Sequence, residues 1–394
     1  MDNLDFNNTA IAFEWKNDKE LKKAYWLFKI MKHNWLVKTG KTLANLAIKI
    51  HFPINWIVKP TIYSHFVGGE TIEECKPLVR LLEKYNVKAV LDYSVEGGDT
   101  EEKINHALKE TLKTIENAAN DPNVAFAVFK PTAFCYPHIL EKAGMNEQLT
   151  KEEQKETEKF RERVYILCET AYKKNVPIMI DAEDYAFQNF VDKVIYDMML
   201  QFNKEKAIVY NTLQMYRRDR LDYLKFLYNQ AQKDKIKVGI KFVRGAYMEK
   251  ERERAKKLGY PDPIHPTKED TDRAYNAALE FSTEHIDTIA IFNATHNEYS
   301  SKYLTELMKK HGIEKNDPRA FFAQLYGMSD HITFNLAKAG YNVAKYIPYG
   351  PVKHVLPYLI RRTEENTSVA GQTSRELQLL QKEFLRRKNT KHKK

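Results

Sequence analysis

A (β/α)8 barrel preceded by a helical arm is the fold this sequence predicts, on three observations. Eight short apolar, β-branched runs recur at 87–93, 124–129, 176–180, 207–212, 238–243, 289–293, 320–325 and 343–347. Charged segments of helical period lie between them, for example 103–117, 190–201 and 221–232. Nearly every run also ends in a polar side chain. Continuously apolar strands separated by helices imply a parallel sheet covered on both faces, and eight such units suggest closure into a barrel. An open doubly wound sheet is the competing architecture, since a count of strands from pattern can err by one.

Three segments follow from this reading: a helical arm over 1–75, a catalytic barrel over 76–370, and a helix with a basic tail over 371–394. In the arm, Asn17-Asp18-Lys19-Glu20 reads as a capping box. Leu21, Ala24, Tyr25, Phe28, Met31 and Trp35 follow at three- and four-residue spacing, with a second helical stretch to about residue 50. All four tryptophans, Trp15, Trp26, Trp35 and Trp56, fall in this section. Packing against the main domain is their ordinary role, and contact with a membrane interface is the alternative.

Beyond the last run, Tyr346-Ile347-Pro348-Tyr349-Gly350-Pro351 leads into a helix carrying Tyr358, Arg361 and Arg362. Pro351 suits a helix's first turn, but Pro357 interrupts the pattern, so regular helix begins at one boundary or the other. Adjacent arginines are ordinarily a solvated face. Three and four residues after Tyr358, they can also crowd one flank with its phenol and bind a small carboxylate through forked, charge-assisted contacts. The run 386–394 reads as a frayed basic tail.

Composition supports a sizeable core, with 43% hydrophobic and 12% aromatic residues. A net charge of +10 permits an anionic partner without choosing one. Three widely spaced cysteines, Cys75, Cys135 and Cys168, argue against a disulfide framework and point to a reducing compartment. Residues 1–8 do not read as a signal peptide, and no apolar run reaches the length of a membrane span. The glycine-rich phosphate cradles Gly-x-Gly-x-x-Gly and Gly-x-x-x-x-Gly-Lys-Ser/Thr are not found after any run.

Catalytic groups of such barrels sit at the carboxyl ends of the strands. Here those ends carry Asp92 to Glu96, Lys130-Pro131-Thr132, Asp181-Ala182-Glu183-Asp184, Gln214, Lys241 with Arg244-Gly245-Ala246-Tyr247, Thr295-His296-Asn297, Gln324 and Tyr346. Taken singly, Lys130 could be a surface lysine, Asp181 or Glu183 a helix cap, and His296 a structural histidine. Together they suggest a shared polar site, because an unpartnered buried charge costs several kcal/mol, roughly. Asp181, Glu183 and His296 raise the question of a metal, but no paired-histidine spacing supports one and several cations point the same way. Lys130, Lys241, Arg244, Arg361 and Arg362 ask for anions. A substrate carboxylate and a cofactor diphosphate would account for them, and redox chemistry on a bound cofactor is the economical reading.

The segments Lys130-Pro131-Thr132, Ile180-Asp181-Ala182-Glu183, Asn211-Thr212-Leu213-Gln214-Met215-Tyr216, Val243-Arg244-Gly245-Ala246-Tyr247, Ala294-Thr295-His296-Asn297 and Tyr358-Leu359-Ile360-Arg361-Arg362 occur in one order on different units. In these motifs the chain resembles the proline dehydrogenases, in particular the monofunctional members. The resemblance implies a (β/α)8 barrel that binds FAD and oxidises L-proline to Δ1-pyrroline-5-carboxylate by hydride transfer to the flavin, passing electrons to a quinone.

It further implies that Arg361, Arg362 and Lys130 hold the proline carboxylate, and that Tyr346, Tyr358, Leu325 and Ala246 line the ring pocket. Glu96 and Asp181 would hold the cations in place. On the cofactor side it implies Gln214 and Lys241 at the isoalloxazine edge and Arg244 and Gly245 near the diphosphate. Ala246, Thr295, His296, Asn297, Arg362 and Glu365 would serve the rest of FAD. The position of Lys241 is an arginine in the bifunctional enzymes, and a lysine keeps the charge but loses the fork. A related barrel preferring hydroxyproline or another cyclic amino acid is the alternative. A basic nucleic-acid-binding protein is a remote one, since no stacking-aromatic motif accompanies the charge. The expected location is the cytoplasm, or peripherally on the inner face of its membrane through the basic tail and the tryptophans. Oligomeric state is left open.

Overall fold

The computed structural model describes residues 4–33, 35, 55–94, 99–368 and 372–391. Its eight strands are β1 (Val87–Tyr93), β2 (Val124–Phe129), β3 (Ile178–Ile180), β4 (Val209–Gln214), β5 (Val238–Val243), β6 (Ile289–Ala294), β7 (Ala320–Leu325) and β8 (Val343–Tyr349). They close in chain order into a barrel, which removes the open doubly wound alternative.

Two strands start later than the apolar pattern suggests, for local reasons. β3 begins at Ile178 because Pro177 has no N–H to give the ladder. β4 begins at Val209 because the fully buried Asn203 side chain takes up the chain just before it. Its amide oxygen accepts from Ile208 and Val209 N at 2.9 and 2.8 Å, and its nitrogen donates to Val209 O.

By contact density the chain divides into Met1–Ala89 with Gln324–Lys394, and Val90–Ala323. In the second unit, register pairs Tyr210 with Gly239, Gly239 with Ala290, and Phe292 with Phe321. Phe126 sits at the centre of this layer, with ring centroids 5.4 Å from Tyr210, 4.8 Å from Phe292 and 5.1 Å from Phe321. Gly239 makes room for the Tyr210 ring, from which a Cβ there would lie 2.5 Å. The aromatic plug is a dry floor, each large ring contributing about 2–3 kcal/mol of burial.

In the first unit the arm helix Asp18–Met31 carries the capping box read from the sequence and buries Leu21, Ala24, Phe28 and Met31. Of the tryptophans, Trp15 is buried and stacked on Phe334 at 5.3 Å. Trp26, Trp35 and Trp56 are 48%, 66% and 67% exposed, so core packing accounts for only one of the four. The helix Val352–Ser368 runs through Pro357 without a break. The tail is also more ordered than its composition suggests. Helix Gln372–Lys391 includes Arg386 and Arg387, both paired with the buried Glu383, and Arg387 donates to the carbonyls of Phe13 and Lys16.

A buried histidine gives this unit a pH dependence. His65 donates from Nε2 to Gly327 O at 2.9 Å, since a carbonyl can only accept. Burial holds its pKa at about 3, with Lys16 and Lys23 pushing the same way and Asp330 and the Gly327 carbonyl opposing. The unfolded chain takes up this proton below about pH 6.5 and the folded chain does not. This contribution to stability is therefore complete above that pH and is lost as pH falls from it toward 3, at up to ~1.4 kcal/mol per unit. Urea unfolding across this range should show a shallower slope in His65→Gln than in the wild type, and parallel slopes would refute the assignment.

Candidate active site

Side chains alternate along a strand, so β-sheet register decides which strand-end groups enter the barrel. Thr212 pairs with Lys241 and Lys241 with Phe292, which places them on the same side as the aromatic plug. Asp92, Lys130, Asp181 and Gln214 share that parity. Lys130 Nζ lies 2.8 Å from Asp92 Oδ2 and 3.6 Å from Asp181 Oδ2, and Lys241 pairs with the other oxygen of Asp181. Ser94 Oγ donates to Asp92 Oδ2 at 2.8 Å.

The result is a row of alternating charge with side chains 3–14% exposed. The two lysines are matched by two aspartates, so the excess of cations inferred from the strand ends is not found in this row. Asp92 is the residue that sequence reasoning missed, having given the role of holding cations to Asp181 and Glu96. Inward parity at the end of β1 was the available signal. Glu96 lies outside the described residues.

Residues of the opposite parity serve the helices. Asn211 donates to Asp192 at 2.9 Å, and Tyr275 hydroxyl donates to Asn293 Oδ1 at 2.6 Å. In the first unit Thr333 donates to Gln324 Oε1 at 2.7 Å. Gln324 therefore does not belong to the inward set. Glu183 does not cap the following helix. Its carboxylate accepts from Thr132 N at 2.8 Å and Thr132 Oγ1 at 2.7 Å, which ties the loop after Lys130 to the end of β3. Asp184 holds the N-cap position and is engaged by Lys250.

After β5, Arg244 stands over the Tyr275 ring at 4.3 Å, and its nitrogens donate to Asp272 Oδ1, Thr295 Oγ1 and Ser300 Oγ at 2.8, 2.6 and 2.9 Å. Thr295 Oγ1 also accepts from Asn297 N, and Asn297 caps the helix Glu298–Lys310. Arg244, Thr295 and Asn297 are thus one construction, with His296 half-buried next to it. Gly245 and Ala246 are exposed. Gly245 has φ +123°, and a Cβ there would lie 2.6 Å from the Tyr216 ring, so no other residue fits this turn.

In the first unit, β8 is held by the last part of the arm. Gly69 bridges Tyr349, Gly68 N donates to Pro348 O at 2.9 Å, and the buried Tyr63 hydroxyl donates to Gly350 O at 2.8 Å. Tyr346 is buried, and its carbonyl accepts from Tyr326 N at 2.8 Å. Tyr358 belongs to an apolar cluster with Phe66, Met328, Val355 and Leu359, against which Leu325 packs. One helical turn later the buried Arg362 guanidinium lies 5.4 Å above the Tyr358 ring, and Arg361 is half-buried. Glu365 lies in the same helix, with its side chain outside the described set.

The family model "Proline dehydrogenase" matches residues 75–375. The chain is 38% identical to the carbapenem antibiotics biosynthesis protein CarD of Pectobacterium carotovorum, over 83% of this chain and 84% of that one. It is 32% identical to proline dehydrogenase 1, mitochondrial, of Dictyostelium discoideum, over 96% and 74%. Among solved structures, proline utilization A from Bdellovibrio bacteriovorus, inactivated by N-propargylglycine, superposes with a TM-score of 0.72 at 21% identity. That match covers 91% of this chain and 38% of the other, and it speaks for the barrel fold alone. With the family model spanning most of the barrel and relatives of this identity covering most of its length, the chain belongs to the proline dehydrogenase family.

Proposed function

We propose that the chain oxidises L-proline to Δ1-pyrroline-5-carboxylate with a bound FAD and passes the electrons to a quinone. The observation that carries this reading is the row Asp92, Lys130, Asp181 and Lys241 inside the barrel, in a chain of this family. FAD suits the residues around that row. Gln214 Oε1 and Thr212 Oγ1 are buried there with no hydrogen-bond partner among the described residues, which the polar edge of a flat heteroaromatic ring would satisfy. Arg244, fixed by three acceptors, and the Cβ-free turn at Gly245 suit a diphosphate.

When bound, FAD supplies a two-electron acceptor. On this reading the residues of the chain do the rest. Arg361, Arg362 and Lys130 orient the substrate carboxylate, while Tyr346, Tyr358, Leu325 and Ala246 exclude water from its ring. Asp92 and Asp181 hold the two lysines in place. Gln214, Lys241, Arg244, Gly245, Thr295, His296, Asn297 and Glu365 serve the cofactor.

We place the protein in the cytoplasm, touching the membrane peripherally. No helix among the described residues is long and apolar enough to cross one. The exposed Trp26 and Ile30, with Lys22, Lys29 and Lys32 on the same arm, support docking on an anionic bilayer.

One experiment covers substrate, cofactor and acceptor. The purified protein is expected to absorb near about 450 nm, to bleach on addition of L-proline, and to recover when a quinone is added. A colourless protein would count against FAD, and faster bleaching with 4-hydroxyproline would replace the substrate. Recovery that needs a soluble dye in place of a quinone would remove the proposed acceptor. Failure to sediment with anionic vesicles would remove the membrane contact.

A further inference from the structure

Four segments of the first unit converge on the turn Tyr326-Gly327-Met328-Ser329-Asp330, which follows Leu325 at the end of β7. His65 donates to Gly327 O at 2.9 Å. Lys345, on β8 and fully buried, donates to Met328 O at 2.5 Å and pairs with Asp330 at 2.9 Å. Lys16 pairs with Asp330 at 3.0 Å. Glu376, from the helix Gln372–Lys391 and 3% exposed, accepts from Ser329 N at 2.5 Å. Burial pulls the carboxyl of Asp330 upward, but the two lysines outweigh it and hold the group well below its usual range.

The backbone of this turn is one that needs holding. Gly327 has φ +81° and no space for a side chain, since a Cβ would lie 2.3 Å from His65 O. Ser329 has φ +52° without being glycine, a left-handed conformation that an L-residue adopts only when its surroundings insist. Glu376 holds the N–H of that residue. Met328 and Leu325, on either side of Gly327, pack in the cluster that contains Tyr358, whose ring carries Arg362.

We propose that Glu376 is a positioning residue for the substrate: by holding Ser329 in its left-handed conformation it sets Leu325 and Met328 against Tyr358, and through Tyr358 the guanidinium of Arg362. This rests on the reading of Tyr358, Leu325 and Arg362 as substrate contacts. It gives the segments outside the barrel, Lys16 and His65 from the arm and Glu376 from the helix Gln372–Lys391, one common task. Glutamine can imitate the contact, because the side-chain oxygen that accepts from Ser329 is retained. Burial already pushes the Glu376 carboxyl upward, with His331 at 4.0 Å opposing.

The test uses the full chain with FAD and the variants Glu376→Ala, Glu376→Gln and Glu376→Ala/Ser329→Gly, read by amide exchange of residues 326–332 and by KM and kcat for L-proline. Glu376→Ala is expected to speed exchange in this segment and to raise KM about tenfold with kcat changed less than about threefold, as for a lost binding contact. Glu376→Gln should stay near wild type. Ser329→Gly should bring KM of the double variant back to within about threefold, because glycine takes a positive φ without a Cβ penalty.

Faster exchange with an unchanged KM would overturn the proposal and leave only a structural brace. So would unchanged exchange, or a raised KM that neither glutamine nor glycine restores. If the wild type does not oxidise proline, the functional reading fails, while amide exchange still reports whether Glu376 holds the turn.

Discussion

Replacing Arg362 by methionine is expected to raise KM for L-proline by about two to three orders of magnitude, with a smaller effect on kcat. A guanidinium facing a carboxylate makes two parallel charge-assisted hydrogen bonds, and removing one partner of a desolvated pair costs about 3–5 kcal/mol. Arg362 is 8% exposed and stacked on Tyr358, so solvent does little to weaken such a contact. Arg362→Lys should recover part of the loss, because the charge stays while the fork is gone. Arg361 is half-buried, and Arg361→Met is expected to act in the same direction less strongly. Steady-state kinetics at varied proline decide the matter: a variant with a normal KM removes that arginine from the carboxylate site.

Asp181→Asn is expected to reduce both folding stability and activity, the first by about 3 kcal/mol, the scale for one partner lost from a buried pair. One carboxylate serves two lysines here, with Lys130 at 3.6 Å on one oxygen and Lys241 on the other. An amide keeps the shape and loses the charge that both lysines were placed to meet. Asp92→Asn should behave similarly, since the Asp92 side chain is 3% exposed and 2.8 Å from Lys130. Glu83→Gln provides the contrast. Its pair with Arg80 is nearly half exposed on both sides, and screening reduces such contacts to under about 1 kcal/mol. Urea unfolding of the three variants should separate the two aspartates from Glu83. An Asp181→Asn protein with wild-type stability and turnover would mean that the charge row is not what places the lysines.

The barrel was legible because its strands are buried on both faces and its helices on one, and those two periods are written in the residues themselves. The capping box at Asn17 was legible for the same reason, as its partners lie three residues apart. Strand limits at Ile178 and Val209 were less so. Pro177 was visible and should have shortened β3, whereas Asn203 acts on β4 through hydrogen bonds that no local pattern announces.

The candidate site divides along the same line. Polar residues at strand ends could be counted from the sequence, but not sorted into those facing the barrel and those facing helices. Asn293 and Gln324 show the difficulty: each lies near the end of a strand as a site residue might, and the side-chain oxygen of each accepts from a helix residue, Tyr275 and Thr333.

By itself the sequence determined the class of fold, the order of the polar strand ends and the doublet at Arg361-Arg362, all of which depend on spacing along one chain. Only the tertiary structure decided that Asp92 partners Lys130 and that Asp181 is shared by two lysines. It alone decided that Glu376 reaches Ser329, 47 residues away. A one-residue shift of register sets which of two neighbouring side chains enters the barrel, and distant carboxylates find their cations only after the chain has closed. These pairings are therefore properties of the packed backbone, whereas periodicity is a property of the residues.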